Sequence, residues 1–326
     1  MQMKRKGVMK WLCAVMIIVM MLSVGGCGDS SHRMMFGTGG TAGTYYSYGG
    51  VLAQYMKSYA GVRVTAVSTG GSKVNIKSIQ DGDFQLGFTQ SDVMTYGWDG
   101  TRAFEKDGPT HDFRVLGCLY AETVQLITMD DSIQSVEDLR GKSVSIGEAG
   151  SGVYFNALDV LNGAGITLED IKPQYQSFED SKESLKDGKI KAAFIVAGAP
   201  TTAITELATT NGVRLINISG DFRDHIIEEC PYYAPLTIPA GTYPGQDEPV
   251  ETITVEATLI VSAAVDEQIV YDLTAAIFDH AEEITLENAK GAELNLETAS
   301  SVTNVPYHEG AARYYAEHGI TVNTKE

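Results

Sequence analysis

Short apolar runs alternate along the chain with longer segments whose apolar residues recur at helical spacing. The runs MMF (34–36), VRVTAV (62–67) and KSVSIG (142–147) each precede a small-residue loop and then such a segment. Two more runs, FQLGF (84–88) and KAAFIV (191–196), have the length and residue types of buried strands. Strands that alternate with helices predict an α/β protein with mainly parallel sheets.

The same pattern predicts the parts of the chain that lie between these elements. A strand is expected over 124–129 and a helix over 201–208. The strand at 84–88 should deliver residues 89–92 to a loop at its C-terminal end, where ligands bind in open α/β sheets. The Gly- and Pro-rich segment 231–249 predicts a long irregular connection.

Three glycine-rich loops stand between a predicted strand and a predicted helix, namely GTGGTAGTYYSYGG (37–50), STGGS (68–72) and GSG (150–152). This order points backbone N–H groups and the positive end of the helix dipole towards an anion. The alternative is that the glycines serve only tight turns and close packing. No Asp or Glu occurs in residues 31–80, which hold five Lys and Arg, so we favour a shared anion site.

The first loop does not have the features of a nucleotide site. GTGGTA fits the loose pattern GxGxxA, but no acid follows about 20 residues later to bind a ribose, and the GK[ST] ending of a P-loop is missing. We therefore expect a small anion held by amides and hydroxyls, and no cofactor.

The charge of the chain excludes one class of partner. Residues 1–26 carry four of the 24 basic residues and no acid, so the rest has 20 Lys and Arg against 42 Asp and Glu, a net charge of −22. Such a charge argues against nucleic-acid binding. The roughly 300 remaining residues suffice for two lobes of ordinary size.

The N-terminal residues 1–26 have the order of a secretory signal peptide, with basic residues followed by the apolar run WLCAVMIIVMML. The small residues Gly25 and Gly26 before Cys27 resemble the lipobox of bacterial lipoproteins, which predicts that Cys27 is lipidated. Residues 27–33 would then form a short tether, and the folded part would lie outside the cytoplasm at the membrane. A plain signal cleaved nearby, or an uncleaved anchor, is the alternative.

Beyond Cys27, two cysteines remain, Cys118 and Cys230. In an oxidising compartment they could form a disulfide, and two buried free thiols are the alternative. The chain has no CxxC motif, so we expect no metal site built from thiolates.

Several long blocks occur in the order and spacing of a known family. They are GTGGTAGTYYSYGG, STGGSKVNIKSIQDGDFQLGFTQSDV, EAGSGVYFNALDVL, LKDGKIKAAFIVAGAP, PYYAPLTIPAGTYPGQDEPVETITVEATLIV and VPYHEGAARYYAEHG. From about residue 34 to 320 the chain resembles the TAXI family, the extracytoplasmic solute receptors of one branch of the tripartite ATP-independent periplasmic (TRAP) transporters. Two departures are Ser47, where the family often has proline, and Glu148-Ala149, where Gly-Pro is common.

The resemblance implies a type II periplasmic-binding-protein fold, with two α/β lobes joined by two crossover strands and a ligand cleft between them. We place the crossovers at about 117–129 and 252–262. Lobe 1 would hold residues 34–120 and 260–326, and lobe 2 would hold residues 121–259.

The resemblance also implies a function without catalysis. The chain would be a monomeric receptor that closes its lobes on a small carboxylate such as glutamate, glutamine or 2-oxoglutarate and delivers it to a fused TRAP permease. The residues expected to bind the ligand are Thr38, Gly39, Gly40, Thr41, Thr44, Tyr45, Gly70, Gly71, Ser72, Gln90, Ser91, Gly150, Ser151, Gly152 and Ala199.

Two other classes of function compete with this interpretation. A secreted hydrolase could use Ser72 or Ser151 as the nucleophile with a histidine as the base, but neither serine lies in a GxSxG motif and no HExxH is present. His308 precedes a helical segment, where capping or packing is its simplest role. A structural lipoprotein without a small ligand is the other alternative.

Overall fold

The architecture is taken from a computed structural model that describes residues 33–325. The expected signal peptide (1–26), the lipidation site Cys27 and residues 28–32 of the expected tether lie outside the described residues. Arg33, which we expected to be the last tether residue, already belongs to the first strand. Its backbone pairs with Arg63 in the neighbouring strand, so the ordered sheet begins one residue earlier than expected.

Strands and helices alternate through most of the described chain. The strands are β1 (Arg33–Gly37), β2 (Arg63–Val67), β3 (Leu86–Gln90), β4 (Phe113–Thr128), β5 (Ser143–Ser145), β6 (Lys172–Gln174), β7 (Ala192–Ala197), β8 (Arg214–Ile216), β9 (Ala234–Ile238) and β10 (Val250–Ser262). The helices are α1 (Thr44–Tyr59), α2 (Ser72–Gln80), α3 (Ser91–Asp99), α4 (Gly152–Gly163), α5 (Phe178–Lys186), α6 (Thr202–Asn211), α7 (Gly220–Glu229), α8 (Glu267–Phe278), α9 (Ala281–Glu287), α10 (Leu296–Ala299) and α11 (Glu309–Glu317). The alternation confirms the α/β class.

The strands form one sheet of ten strands in the order β2-β1-β3-β10-β4-β7-β5-β6, with β8 beside β4 and β9 beside β10. β1, β2 and β3 are parallel to one another, as are β5, β6 and β7. The two long strands β4 and β10 lie between these parallel groups and pair antiparallel with each other. The expected crossover segments fall largely within these two strands.

Buried side chains form one large core on one side of the long strands and two smaller cores on the other side. The larger core draws on residues 34–120 and 257–322, and it includes Phe36, Phe88 and Tyr315. The other cores draw on residues 124–255. We call the part around the larger core the first half and the part around the other cores the second half.

Two expectations about local structure were wrong. β3 continues to Gln90, and α3 begins directly at Ser91, so residues 89–92 are not a loop. Antiparallel pairing with Ala257 extends the strand to Gln90. The expected irregular connection 231–249 contains strand β9, which pairs with the first part of β10.

The structure also shows the state of the two cysteines and the character of the helices in residues 33–325. Cys118 and Cys230 are both free thiols, which leaves the buried-thiol alternative for Cys118, while Cys230 is half-buried. Within residues 33–325, none of the helices has both the length and the apolar character needed to span a membrane.

Candidate functional site

A cavity lies between the two halves, where the first turns of several helices meet. Its volume is about 60 Å³, which is more than a single bound water needs. Its lining consists of Gly39, Gly40, Gly43, Thr44, Tyr45, Gly70, Gly71, Ser72, Gln90, Glu122, Gly147, Glu148, Ser151, Gly152, Val153, Gln176, Phe178, Val196 and Ala197.

Two helix N-termini reach the cavity without a side-chain cap. α1 follows Gly43 and α2 follows Gly71, and neither glycine can supply a capping oxygen. Gly71 has φ 93°, a backbone conformation that favours glycine. The first N–H groups of a helix have no partner within the helix, and the helix dipole makes this end positive. The starts of α1 and α2 can therefore donate hydrogen bonds to an anion in the cavity.

The start of α4 contributes from the second half and is capped. Ser151 Oγ accepts a hydrogen bond from the N–H of Tyr154 at 3.2 Å, as expected for a serine N-cap. Ser72 Oγ similarly accepts from the N–H of Gln90 at 3.1 Å. Both hydroxyls line the cavity, and each can still donate its proton to a ligand.

A buried carboxyl group faces the same cavity. Glu122 lies on β4 and is only 2% exposed. Burial raises its pKa to about 8, against smaller lowering effects of the nearby Tyr120, Lys290 and Tyr45. A carboxylate that leaves water without a cationic partner pays a large desolvation cost, so the neutral acid is favoured at pH 7.

Tyr45 forms an aromatic wall beside Glu122. Its ring stacks on Phe88 with centroids 4.7 Å apart and planes 5° from parallel. The Tyr45 hydroxyl is buried close to the side chains of Ser72 and Glu122, but it forms no hydrogen bond of full geometry with a described residue. Burial, followed by the charge of Glu122, raises the pKa of Tyr45 well above its usual value, so the phenol stays protonated. A ligand atom could supply the missing partner.

A chain of amide hydrogen bonds joins the halves next to the cavity. Gln90 Nε2 donates to Asn156 Oδ1 at 3.0 Å, and Asn156 Nδ2 donates to Asp92 Oδ2 at 3.0 Å. Asn156 Nδ2 also donates to the hydroxyl of Tyr233 at 2.8 Å. Asp92 accepts from an amide and so fixes which way Asn156 faces, and Asn156 in turn fixes Gln90. Gln90 Oε1 is left buried and without a donor.

Further contacts close the two halves around this site. Thr44 Oγ1 donates to the carbonyl of Gly198 at 3.0 Å. At the other side, the Arg102 guanidinium binds both carboxylate oxygens of Asp159, at 2.7 and 3.2 Å. Arg102 has φ 44°, a strained backbone conformation for a residue with a side chain. The described structure is thus a closed one in which both halves bound the cavity.

Most of the residues expected to bind the ligand line the cavity. Those that do are Gly39, Gly40, Thr44, Tyr45, Gly70, Gly71, Ser72, Gln90, Ser151 and Gly152. The structure places Thr38, Thr41, Ser91, Gly150 and Ala199 outside the lining. Thr38 is buried and donates to the carbonyl of Val67 at 2.6 Å, while Thr41 is exposed. Ser91 Oγ accepts from the N–H of Glu256.

The departure at Glu148 did place a carboxyl group at the cavity, but sequence reasoning missed Glu122 and the apolar part of the lining. Glu122 was hidden inside an apolar run, ETVQLITM, and a single carboxyl group in a strand buried on both faces was the available signal. Phe178, Val196 and Gln176 come from the second half, and no sequence pattern connects them to the glycine loops. The expected basic character did not reach the site, because Lys73 and Lys77 pair with Asp107.

The histidines and the metal-ligating residue types were located relative to the cavity. The cavity lining contains no histidine. His308 caps α11 by accepting a hydrogen bond from the N–H of Gly310, which confirms its expected structural role. Residues 33–325 hold no cluster of three His, Cys, Asp or Glu residues placed to bind a metal ion.

Comparison with protein families identifies the chain. Residues 36–319 match the model of the NMT1-like family. The chain belongs to the NMT1-like family. The NMT1-like chain is an extracytoplasmic solute-binding protein of the class that binds small ligands.

Solved structures show the fold of this NMT1-like protein. One is the alkanesulfonate-binding protein SsuA from Xanthomonas axonopodis pv. citri bound to MOPS, with a TM-score of 0.51 and 17% identity over 87% of this chain and 83% of that one. Another is an ancestral arginine-binding protein bound to arginine, with a TM-score of 0.50 and 15% identity over 81% and 98%. These neighbours confirm the type II periplasmic-binding-protein fold.

Proposed function

We propose that this protein is the receptor of a TRAP transporter of the TAXI branch and that it binds a small carboxylate between its two halves. The observation that carries the proposal is the pair of uncapped helix N-termini, α1 and α2, at a cavity closed by both halves. Amide donors of this kind bind carboxylates without a full counter-charge. The blocks that resemble the TAXI family hold most of the lining residues.

Closure of the halves would tell the permease that ligand is bound, because the permease would recognise the closed state. We assign residues 34–120 and 260–326 to lobe 1 and residues 121–259 to lobe 2. A ligand that contacts both lobes favours the closed state over the open state, and a membrane protein can distinguish the two. The partner would be a fused TRAP permease driven by an ion gradient, and the receptor would act as a monomer.

A binding assay against small acids tests this function. Thermal unfolding of the purified protein is followed with carboxylates, and with their uncharged amides as controls. A ligand at 100 times its dissociation constant adds about 2.7 kcal/mol to the free energy of unfolding. We expect at least one carboxylate to stabilise the protein where its amide does not. Stabilisation by none of the acids would favour the structural-lipoprotein alternative.

We further propose that the protein is held at the membrane by a lipid on Cys27 and that it is not an enzyme. Cys27→Ser should release folded protein into the soluble fraction, and retention of the mutant with its signal uncleaved would contradict the anchor. Ser72 and Ser151 each accept a backbone N–H rather than facing a histidine. If the wild-type protein hydrolysed chromogenic esters and Ser151→Ala did not, this would contradict the proposal that the protein is not an enzyme.

A further inference from the structure

The charge of the cavity is of one sign. Among the described residues that line it, the only ionisable acids and bases of the Asp, Glu, Lys, Arg and His types are Glu122 and Glu148. Two cations near it are already paired, because Lys290 binds Glu293 and Lys73 binds Asp107. A ligand with two carboxylates would place its second negative charge among acids and uncharged groups, without a base in the lining to receive it.

The cavity also holds hydrogen-bond acceptors that have no donor. Gln90 Oε1 and Gln176 Oε1 are both buried without a partner, and both residues line the cavity. The orientation of Gln90 is fixed by Asn156, so its amide cannot turn to offer a donor instead without losing that bond. A buried acceptor without a donor costs about 1–3 kcal/mol. The cavity therefore holds two acceptor atoms, Gln90 Oε1 and Gln176 Oε1, that no described donor reaches.

Donors are available a short way along the same lining, at the starts of α1 and α2. These N–H groups suit a carboxylate, whereas the carboxylate form of Glu122 and Gln90 Oε1 only accept hydrogen bonds and suit a group with several N–H bonds. An α-amino acid carries both groups on neighbouring atoms. A 2-oxo acid carries the carboxylate but offers only an acceptor where the ammonium would lie.

We propose that the cavity is built for an α-amino acid with an uncharged side chain, whose carboxylate binds the starts of α1 and α2 and whose ammonium binds Glu122 and Gln90 Oε1. This rests on the proposed receptor function and narrows its ligand. Glu122 and Gln90 are thus specificity-determining residues. The ammonium supplies the cation that the buried Glu122 carboxylate lacks.

The second half determines which side chain fits. Its apolar contribution to the lining is Val153, Phe178, Val196 and Ala197, and its polar members are Glu148, Ser151 and Gln176. An aliphatic side chain would contact the apolar residues. An amide side chain, as in glutamine, could donate to Gln176 Oε1. A side-chain carboxylate would meet Glu148 and an acceptor, which disfavours glutamate.

Matched pairs of ligands test the inference by isothermal titration calorimetry. L-alanine is compared with pyruvate, L-valine with 2-oxoisovalerate, and L-glutamine with L-glutamate and 2-oxoglutarate. We expect the tightest ligand to be a neutral amino acid that binds at least tenfold more tightly than its 2-oxo counterpart. We also expect glutamine to bind more tightly than glutamate. A 2-oxo acid or a dicarboxylate as the tightest ligand would overturn the inference and leave the receptor function intact.

A variant of Glu122 tests the assigned contact. Glu122→Gln keeps the size of the side chain but cannot pair with an ammonium, so affinity for the best amino acid should fall at least 30-fold. Binding of its 2-oxo counterpart should not weaken. Glu256→Gln is the matched control, because Glu256 is also on a long strand with a raised pKa but does not line the cavity. Its amino-acid affinity should stay within about threefold of wild type.

The outcomes distinguish the inferred amino-acid specificity from the proposed receptor function. Equal losses for the amino acid and the 2-oxo acid in a folded Glu122→Gln protein would assign Glu122 a structural role and overturn the contact. Unchanged amino-acid binding would overturn it as well. If none of the seven compounds bound to wild type, both the inference and the proposed carboxylate receptor would fail. Circular dichroism of each variant establishes that it is folded.

Discussion

Arg102 in the first half and Asp159 in the second half form a two-point ion pair, with N–O distances of 2.7 and 3.2 Å. The Asp159 side chain is 6% exposed and the Arg102 side chain 31% exposed. The hydroxyls of Tyr232 and Tyr233 also donate to Asp159, at 2.8 and 3.1 Å. The carboxylate is fully coordinated only when the halves are closed.

Removal of this pair should favour the open state. Asp159→Asn removes the charge and weakens the bonds from Arg102, a loss of about 1–2 kcal/mol for a partly exposed pair. We expect the affinity to fall roughly tenfold, and by a similar factor for every ligand, because the variant alters closure of the halves and leaves the ligand contacts unchanged. Small-angle scattering of the ligand-free variant should show a larger radius of gyration.

A matched control is Asp170→Asn, which breaks an exposed ion pair with Arg140 inside the second half. Its affinities and scattering should match those of wild type. A selective loss for one class of ligand in Asp159→Asn would instead indicate that Asp159 takes part in recognition.

Gly40 offers a direct test of the first glycine loop. No atom lies within 4 Å of a Cβ placed there, and its φ is not positive, so an aspartate fits without strain. Gly40→Asp should repel the ligand carboxylate and cost at least two charge-assisted bonds of about 1.5–3 kcal/mol each, lowering affinity about 100-fold or more.

The control for Gly40→Asp is Gly50→Asp, which adds the same charge in open space on the exposed side of α1. Both variants should melt within a few degrees of wild type in circular dichroism without ligand. Unchanged binding by folded Gly40→Asp would move the anion site elsewhere.

Gly152 is expected to be essential for closure and dispensable for folding. A Cβ at this position would lie 1.5 Å from Gln90 Oε1, an atom contributed by the other half. Gly152→Ala should displace Gln90 from Asn156, so calorimetry should show affinity at least tenfold weaker. The ligand-free melting temperature should change little, because the halves can separate to relieve the clash. Gly50→Ala is the control, and equal binding by both variants would contradict this role.

The pH dependence of stability should reflect Glu122. Its pKa rises from 4.5 in the unfolded chain to about 8 in the folded one, so unfolding releases a proton between these values. The free energy of unfolding of the ligand-free protein should therefore fall as pH rises from about 4.5 to 8. Asp92, whose pKa burial raises to about 7, acts in the same direction.

Glu122→Gln isolates this contribution. Urea unfolding should find the variant close to wild type at pH 4.5 and more stable by up to a few kcal/mol at pH 8.5, since the amide never ionises. Parallel pH profiles for the two proteins would show that Glu122 does not titrate in this way.

Local pattern was sufficient to predict the α/β class and several strands and helices, whereas the type II periplasmic-binding-protein fold was predicted from the resemblance to the TAXI family. The periodicity around the three glycine loops indicated β1–α1, β2–α2 and β5–α4, because strand–loop–helix order is encoded within about 20 neighbouring residues. Strand β9 was missed even though it pairs with the nearby start of β10, where Val250 lies opposite Ile238. Its proline-containing run APLTI gives little strand signal.

In the candidate site too, local features could be predicted and long-range contacts could not. Glycine loops could be found because their spacing is local, and most of them reach the cavity. Thr38 was assigned to the ligand as part of the first glycine loop, whereas its hydroxyl donates to the carbonyl of Val67 in the neighbouring strand. Glu122 and Gln176 enter the cavity only through the way the halves close. Their contribution is a tertiary effect that no local pattern contains.

The antiparallel pairing of β4 with β10 has a consequence for the origin of specificity. Tyr120 and Ala257 are partners in that pairing, and the whole second half lies in the uninterrupted segment between them. Such partners have Cα atoms about 4.5–5.5 Å apart, a gap that a tight turn can bridge. The second half is thus arranged as an insertion into a hairpin of the first. Exchange of one continuous segment could replace the wall that meets the ligand side chain and leave the amide donors of α1 and α2 unchanged.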